Sequence, residues 1–236
     1  MIKAVLFDLD GTLLPMDQDL FVRLYYTGLA KKVATLGYNE DEVVNAINTS
    51  VIAMIKGNGE QMNQTVFWNK FAEFLGEDIR NHDELFNHFY LNEFQRAKDA
   101  CKINEKSRKI VKKCKENGLR VILATSPLFP KIATEQRIGW AGFEPQDFEF
   151  FTTYEDYHFC KPNVGYYKEV LAKAGLKPEE CLMVGNDALE DMSAKELGMQ
   201  VFLLTDCLIN RKNVDINNYP NGNFDDLEKF IESLNK

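Results

Sequence analysis

The chain has 236 residues and a formal net charge of −8, with 45% hydrophobic and 12% aromatic residues. This length and apolar content suit one large domain, or a core with a smaller inserted domain. The acidic balance argues against a nucleic-acid partner, because nucleic-acid-binding surfaces are normally basic. No apolar stretch approaches the ~20 residues of a membrane span, and the N-terminal one breaks at Asp8, too early for a signal peptide.

The five cysteines are scattered along the chain and form no C-x-x-C pair. This usage indicates free thiols rather than a disulfide framework. We therefore expect a cytoplasmic protein that neither crosses nor binds a membrane.

The chain opens with a strand pattern and then changes to helices. The nearly continuous apolar run 2–7 is typical of a strand buried on both faces of a parallel sheet. After Pro15, helical periodicity prevails as far as about residue 100. The helices predicted in this stretch cover residues 20–36, 43–55, 67–75 and 85–90.

From about residue 104, helix and strand patterns alternate. Strands are predicted at 121–124, 181–184 and 201–204, and helices at 107–117, 166–174, 189–197 and 224–234. Such alternation predicts an α/β fold with a doubly wound parallel sheet. The predicted division is a core of residues 1–14 and 100–236, interrupted after its first strand by a helical insertion of residues 15–99.

The segment Asp8-Leu9-Asp10-Gly11-Thr12 follows directly on the first strand. In open parallel sheets, ligands bind beyond the carboxyl ends of the strands. The alternation of side chains places Asp8 and Asp10 on the same side, where their like charges repel. A metal ion or a shared proton would relieve that repulsion. A plain turn that ends the strand is the alternative interpretation.

Three later segments carry polar residues of definite kinds: Thr125 and Ser126 after the second core strand, Lys161 in a loop, and a Gly-Asn-Asp segment that ends at Asp187, with Asp191 beyond it. Individually, such residues often cap helices or lie in solvated loops. Together they suit phosphoryl transfer, which needs a carboxylate nucleophile, a proton donor and cations around the phosphoryl oxygens. Mg²⁺ prefers oxygen ligands of this kind.

These four segments resemble the motifs of the haloacid dehalogenase-like (HAD) hydrolase superfamily. The resemblance covers the predicted core and implies a Rossmann-like fold, with an α-helical cap domain between the first and second motifs. It also implies Mg²⁺-dependent phosphatase chemistry. By this resemblance, Asp8 would be the nucleophile, Asp10 the general acid and base, and Thr125 and Lys161 the residues that hold the phosphoryl group.

The resemblance further implies a set of Mg²⁺ ligands. Asp8, Asp10 through its carbonyl oxygen, and Asp187 would bind the ion. Asp191 would be either a further ligand or an anchor for Lys161. An asparagine precedes Asp187 where the family usually has aspartate.

Five further residues are expected to contact a substrate. Gly11, Thr12 and Ser126 belong to the motifs, whereas Lys56 and Asn58 lie in a loop between two predicted cap helices. A polar turn between helices is the alternative for that loop. A cap that closes over a site implies a small phosphorylated metabolite as the partner.

Asp10 separates the reaction types, since by resemblance haloacid dehalogenases and phosphonatase-type members lack the second aspartate. The favoured function is therefore hydrolysis of a small phosphate monoester through an aspartyl-phosphate. A phosphomutase of the same family acting on a sugar phosphate would carry the same aspartates. A non-catalytic binding protein on this fold is the third hypothesis, and both a monomer and a dimer are compatible with the sequence.

Overall fold

The computed structural model describes residues 1–234 and contains a sheet of five parallel strands in the order β2-β1-β3-β4-β5. The predicted core ends at residue 236, so its last two residues, 235–236, lie outside the described part. The strands are β1 (Ala4–Phe7), β2 (Arg120–Leu123), β3 (Cys181–Gly185), β4 (Gln200–Leu204) and β5 (Asn221–Gly222).

Helices surround this sheet and also form the long insertion between β1 and β2. The insertion contains α1 (Gln18–Ala34), α2 (Glu40–Ile55), α3 (Asn63–Leu75) and α4 (Asp83–Leu91). The remaining helices are α5 (Glu105–Glu116), α6 (Lys131–Trp140), α7 (Val164–Ala174) and α8 (Phe224–Ser233).

Successive side chains of β1 enter two different hydrophobic cores. Val5 and Phe7 pack with apolar residues of α5 and α8 on one face, and Ala4 and Leu6 pack with residues of α7 on the other. All four side chains are fully buried. Both faces of the sheet are therefore covered, which explains the apolar run in the sequence and confirms the doubly wound α/β fold.

The helical insertion joins the core through two chain segments that run side by side. The Asp17 N–H donates to the Ala100 carbonyl at 2.9 Å, and the Lys102 N–H donates to the Pro15 carbonyl at 2.8 Å. The inserted α-helical cap is thus confirmed as a feature of the fold, whereas its bounds at residues 15 and 99 remain a prediction.

Further hydrogen bonds hold the insertion against the loops that follow β2. The backbone N–H groups of Asn63 and Gln64 donate to the carbonyls of Tyr157 and Tyr154, at 2.8 and 2.9 Å. Trp140 lies on α6, and its indole N–H donates to the side-chain oxygen of Gln95, a residue of the insertion, at 2.9 Å.

Three local features differ from the predictions, and one of them is the short strand β5, which has no predicted counterpart. The helix predicted at 189–197 is instead a turn followed by a 3₁₀ helix, Met192–Leu197, because Asp187 and Asp191 direct the chain there through side-chain hydrogen bonds. Helix α6 lacks a predicted counterpart. Its first N–H, that of Lys131, is satisfied by the Glu155 carboxylate at 2.9 Å, a contact that local sequence does not reveal.

Within residues 1–234, no helix has the length and apolar content needed to cross a membrane. All five cysteines are free thiols.

The burial of β1 predicts the cost of truncating one of its side chains. Leu6→Ala removes a side chain with 0% exposure, whereas Leu91→Ala removes one that is 55% exposed. We expect Leu6→Ala to lower the free energy of unfolding by about 2–5 kcal/mol. Leu91→Ala should change it by about 0.5 kcal/mol or less. Urea unfolding of both variants measures the difference, and equal losses would contradict the described core.

Candidate active site

The loops after β1, β2 and β3 meet at one edge of the sheet. Strand β1 lies between β2 and β3, and the chain connections leave in opposite directions from this point. Crevices at such switch points are the usual ligand sites of open α/β sheets. Asp8 follows β1, Thr125 follows β2 and Asn186 follows β3. The sheet order therefore brings three of the sequence motifs together.

A buried ammonium group links two of the motif carboxylates. The Lys161 Nζ lies 2.9 Å from Asp8 Oδ1 and 2.7 Å from Asp191 Oδ1. The Lys161 side chain is 1% exposed. One cation thus connects the loop after β1 to the turn after β3.

Burial and neighbouring charges together set the protonation of this cluster, and burial has the larger effect on Asp8. It raises the pKa of Asp8 to about 7, although the Lys161 ammonium opposes the effect, and the nearby Asp191 and Asp10 charges add to it. Burial alone would lower the pKa of Lys161, but the Asp191 and Asp8 carboxylates hold it well above its ordinary value. The lysine therefore remains charged between its two partners.

Gly11 and Thr12 build the turn that follows β1. The Thr12 hydroxyl donates to Asn186 Oδ1 at 2.9 Å, and the Asn186 amide donates to the Cys207 carbonyl at 2.8 Å. Gly11 has a φ of +84°, and a Cβ there would lie 2.3 Å from the Asn186 Nδ2. Asn186 is the residue that departs from the family motif, and here it fastens this turn to the loop that contains Cys207.

Asp187 and Asp191 differ in which of their oxygens are engaged. Asp187 Oδ1 accepts from the N–H groups of Leu189 and Glu190, both at 2.8 Å, and within residues 1–234 its Oδ2 has no hydrogen-bond partner. Asp191 uses both oxygens, one with Lys161 and one with the Asp187 N–H at 2.9 Å. Asp187 can therefore bind a further ligand more readily than Asp191.

Arg137 is a functional candidate that the sequence analysis missed. It lies on α6 with 0% exposure, and its Nη1 forms an ion pair with Asp10 Oδ2. The other oxygen, Asp10 Oδ1, is buried and has no partner in the described part of the chain. Burial raises the pKa of Asp10, and the Arg137 and Lys161 charges act against that rise. An arginine on the buried face of a helical stretch, beside Ala133 and Ile138, is the signal that could have identified it.

Carboxyl groups outnumber cationic groups around this edge. The carboxylates that line the cavity there include Asp8, Asp10, Asp187, Glu190 and Asp191. Burial, and then neighbouring carboxylates, raise the pKa of Glu190 to about 8. The buried cations that contact these carboxylates are Lys161 and Arg137. Carboxylate oxygens are the kind of donor that a hard divalent cation such as Mg²⁺ prefers. In residues 1–234, however, no group of three His, Cys, Asp or Glu side chains is arranged to hold a metal ion.

The two hydroxyl residues after β2 also line the cavity. The Thr125 carbonyl accepts hydrogen bonds from the Tyr166 hydroxyl, at 2.9 Å, and from the Thr152 hydroxyl. These contacts fix the backbone at Thr125. The Ser126 Oγ is buried and has no partner in the described structure, so this hydroxyl is available to a bound anion.

The cavity has a volume of about 600 Å³ and lies between the core and the helical insertion. The wall formed by the insertion is largely apolar and includes Phe21, Val44, Val51 and Ile55. Gln18 also belongs to it, and its Oε1 is a further buried atom that lacks a hydrogen-bond partner among residues 1–234. The cavity is thus lined by charged residues on the side of the core and by largely apolar residues on the side of the insertion.

The structure does not bring Lys56 and Asn58 to this cavity. Both are exposed, and Asn58 Oδ1 accepts from the Glu60 N–H at 3.1 Å within its own loop. The loop packs closely on Phe159, because a Cβ at Gly59 would lie 2.1 Å from that ring. Contact of Lys56 or Asn58 with a substrate would require this loop to move.

A family model of haloacid dehalogenase-like hydrolases matches residues 2–198. The chain therefore belongs to the haloacid dehalogenase-like hydrolase family, which confirms the predicted family and the prediction of a hydrolase enzyme.

Several individual proteins are similar to this chain over nearly its whole length. The glyceraldehyde 3-phosphate phosphatase of Methanocaldococcus jannaschii is 26% identical over 241 residues and covers 100% of both chains. A HAD phosphatase structure from Thermococcus onnurineus has a TM-score of 0.63 at 19% identity, covering 98% of each chain. An L-2-haloacid dehalogenase from Xanthobacter autotrophicus has a TM-score of 0.59 at 15% identity, covering 99% of this chain and 100% of that one. The fold is thus shared with both kinds of enzyme.

The contact between Gly11 and Asn186 predicts a specific effect of adding one methyl group. Gly11→Ala and Gly118→Ala both place alanine at a positive φ, +84° and +74°, but only Gly11 has an atom within 4 Å of the new Cβ. We expect Gly118→Ala to lower the free energy of unfolding by about 1–2 kcal/mol. Gly11→Ala should lower it further, because Asn186 must move. Equal losses in urea unfolding would contradict the close approach.

Proposed function

We propose that the protein is a Mg²⁺-dependent phosphatase that hydrolyses a small phosphate monoester through an aspartyl-phosphate on Asp8. The observation that carries this proposal is the different environment of two aspartates on one turn. Asp8 is held by the Lys161 ammonium, whereas Asp10 keeps one buried oxygen without a partner within residues 1–234. A nucleophile and a proton donor require environments that differ in this way.

In the first step, a carboxylate oxygen of Asp8 attacks phosphorus and forms an O–P bond. The bond from phosphorus to the ester oxygen breaks, and its electron pair stays on that oxygen, which takes a proton from Asp10. In the second step, water attacks the aspartyl-phosphate and gives a proton to Asp10. Inorganic phosphate leaves, and the Asp8 carboxylate is restored.

The phosphoryl oxygens would be held by the groups around Asp8. We assign this role to the Lys161 ammonium and to the hydroxyls of Thr125 and Ser126, because charge on the phosphoryl group is stabilised by fixed donors. Gly11 and Thr12 would shape the turn, and its backbone would approach the phosphoryl group closely.

Asp8, the Asp10 carbonyl oxygen and Asp187 would hold Mg²⁺. The bound ion supplies positive charge that reduces the repulsion between the nucleophile and the phosphoryl oxygens. Of the two roles open to Asp191, we propose the anchoring of Lys161, because both Asp191 oxygens are already engaged.

Asp10 also supports an ester as the substrate. A halide leaves without a proton, whereas an alkoxide leaves far more readily with one. The fold alone does not separate these reactions, since it is shared with a dehalogenase. The glyceraldehyde 3-phosphate phosphatase among the relatives supports hydrolysis of a phosphorylated metabolite. A mutase would return the phosphoryl group to a sugar, and a requirement for a bisphosphate would identify it.

The proposal is tested by phosphate release from a panel of small monoesters. We expect the wild type to need Mg²⁺, to stop in EDTA and to recover when Mg²⁺ is restored in excess. Asp8→Asn should lower kcat by at least about 10³-fold, because the amide is a poor nucleophile. Circular dichroism of Asp8→Asn provides the folding control. Full activity of this variant would overturn the nucleophile assignment, and activity in EDTA would overturn the metal dependence.

Two arginines that line the cavity suggest that the panel should include an ester with a second anionic group. Arg23 and Arg211 line the cavity, and within residues 1–234 neither forms an ion pair. We expect 2-phosphoglycolate to be preferred over ethyl phosphate, which has a methyl group in place of the carboxylate. Arg23→Gln and Arg211→Gln should raise KM for 2-phosphoglycolate and leave KM for ethyl phosphate unchanged.

The matched control for these variants is Arg96→Gln, since Arg96 is also exposed but does not line the cavity. It should change neither KM. A rise in KM for both esters in the Arg23 and Arg211 variants would indicate a general effect on the site and would contradict recognition of a second anionic group.

A further inference from the structure

We propose that Arg137 is a positioning residue that holds the Asp10 carboxylate in one orientation, with Oδ2 on the guanidinium and Oδ1 directed to the substrate. The inference rests on the proposed function, in which Asp10 exchanges a proton with the substrate oxygen. Arg137 does not itself line the cavity, so it would act through Asp10.

The guanidinium of Arg137 is fixed on several sides. Its Nη2 donates to the Thr134 hydroxyl at 3.1 Å, and its Nε donates to the Ala133 carbonyl at 3.4 Å. The guanidinium carbon lies 4.1 Å from the centroid of the Phe129 ring, which covers one face. Because the guanidinium is planar and its N–H groups form a rigid fork, these contacts determine where Nη1 points.

Nη1 forms an ion pair with Asp10 Oδ2, so the two oxygens of this carboxylate have different roles. Asp10 lines the cavity, and its second oxygen, Oδ1, is buried and finds no hydrogen-bond partner in residues 1–234. A buried oxygen without a partner is costly in free energy unless a ligand satisfies it. The substrate oxygen that gains or loses the proton is the ligand that this arrangement would accept.

The position of Phe129 extends this arrangement to the helical insertion. The Phe129 ring centroid lies 5.1 Å from that of Tyr25 and 6.0 Å from that of Phe21, both on α1. The aromatic face that covers Arg137 is therefore itself packed by the insertion. A docked insertion keeps water from the guanidinium, and the charge pair with Asp10 is strengthened by that exclusion.

A structural role of Arg137 and a positioning role predict different effects of the leaving group on the activity of Arg137 variants. The kcat/KM value reports the steps up to departure of the alcohol. For 4-nitrophenyl phosphate the leaving group is stable without a proton, whereas for ethyl phosphate it needs one. We expect Arg137→Gln to lower kcat/KM for ethyl phosphate about 10²-fold or more, the usual contribution of a general acid. The loss for 4-nitrophenyl phosphate should be less than about tenfold.

Two further variants keep the test decisive. Arg137→Lys preserves the charge and should fold even where Arg137→Gln does not, yet it lacks the fork, so the same selective loss should remain in part. Asp10→Asn should show the same selectivity, and the double variant Asp10→Asn with Arg137→Gln should lose no more than Asp10→Asn alone. Arg120→Gln, which breaks an arginine–carboxylate pair with Glu149 elsewhere, should affect both esters equally or not at all.

The outcomes separate the inference from the function on which it rests. If the wild type releases phosphate from neither of these two esters nor from any other ester of the panel, the proposed function fails. If the wild type is active but folded Arg137 variants lose the same factor on both esters, or lose nothing, the positioning role is overturned. Additive losses in the double variant would overturn it as well, because Arg137 would then act independently of Asp10.

Discussion

The site depends on one buried ammonium group placed between two carboxylates. Removing Lys161 would leave Asp8 and Asp191 as uncompensated negative charges in a region from which water is largely excluded, an arrangement more costly than the pair itself. The lysine comes from a loop, one carboxylate from the end of β1 and the other from the turn after β3. Its charge therefore joins side chains from three separate segments of the chain. The nucleophile proposed here occupies its position because of this structural ion pair.

A second pair of charges has a related arrangement but leaves one oxygen available. Arg137 neutralises one side of Asp10, as Lys161 neutralises one side of Asp8. The two aspartates, two residues apart on one turn, thereby receive cations from two different segments, α6 and the loop before α7. These partners offset the two negative charges, although the nearby Asp10 charge still raises the pKa of Asp8. The apolar wall of the insertion then completes a cavity of about 600 Å³ beside these charges.

The sequence was sufficient for the parts of the molecule that obey local rules. The apolar run of β1, the alternation of helix and strand, and the four motifs predicted the sheet, the insertion and the convergence of Asp8, Thr125 and Lys161. The remainder depends on contacts between distant segments. Arg137 contacts Asp10, which lies more than a hundred residues earlier in the chain. The first N–H of the helix that contains Arg137 is hydrogen-bonded to a carboxylate from another loop. The turn expected to be a helix at 189–197 is shaped by side chains that serve the site. Lys56 and Asn58 have suitable chemistry, but their loop is packed elsewhere, which composition does not indicate.

The side-by-side path of the segments that enter and leave the insertion has a consequence for how this enzyme could diversify. Because residues 15 and 102 are hydrogen-bonded to each other, the core chain is nearly closed on itself at that point. The sheet does not need the insertion to span any gap, so helices there can be lengthened, exchanged or remodelled while β1 and its turn keep their geometry. The apolar wall of the cavity and the proposed bond-breaking residues thus belong to separately variable parts of a single chain.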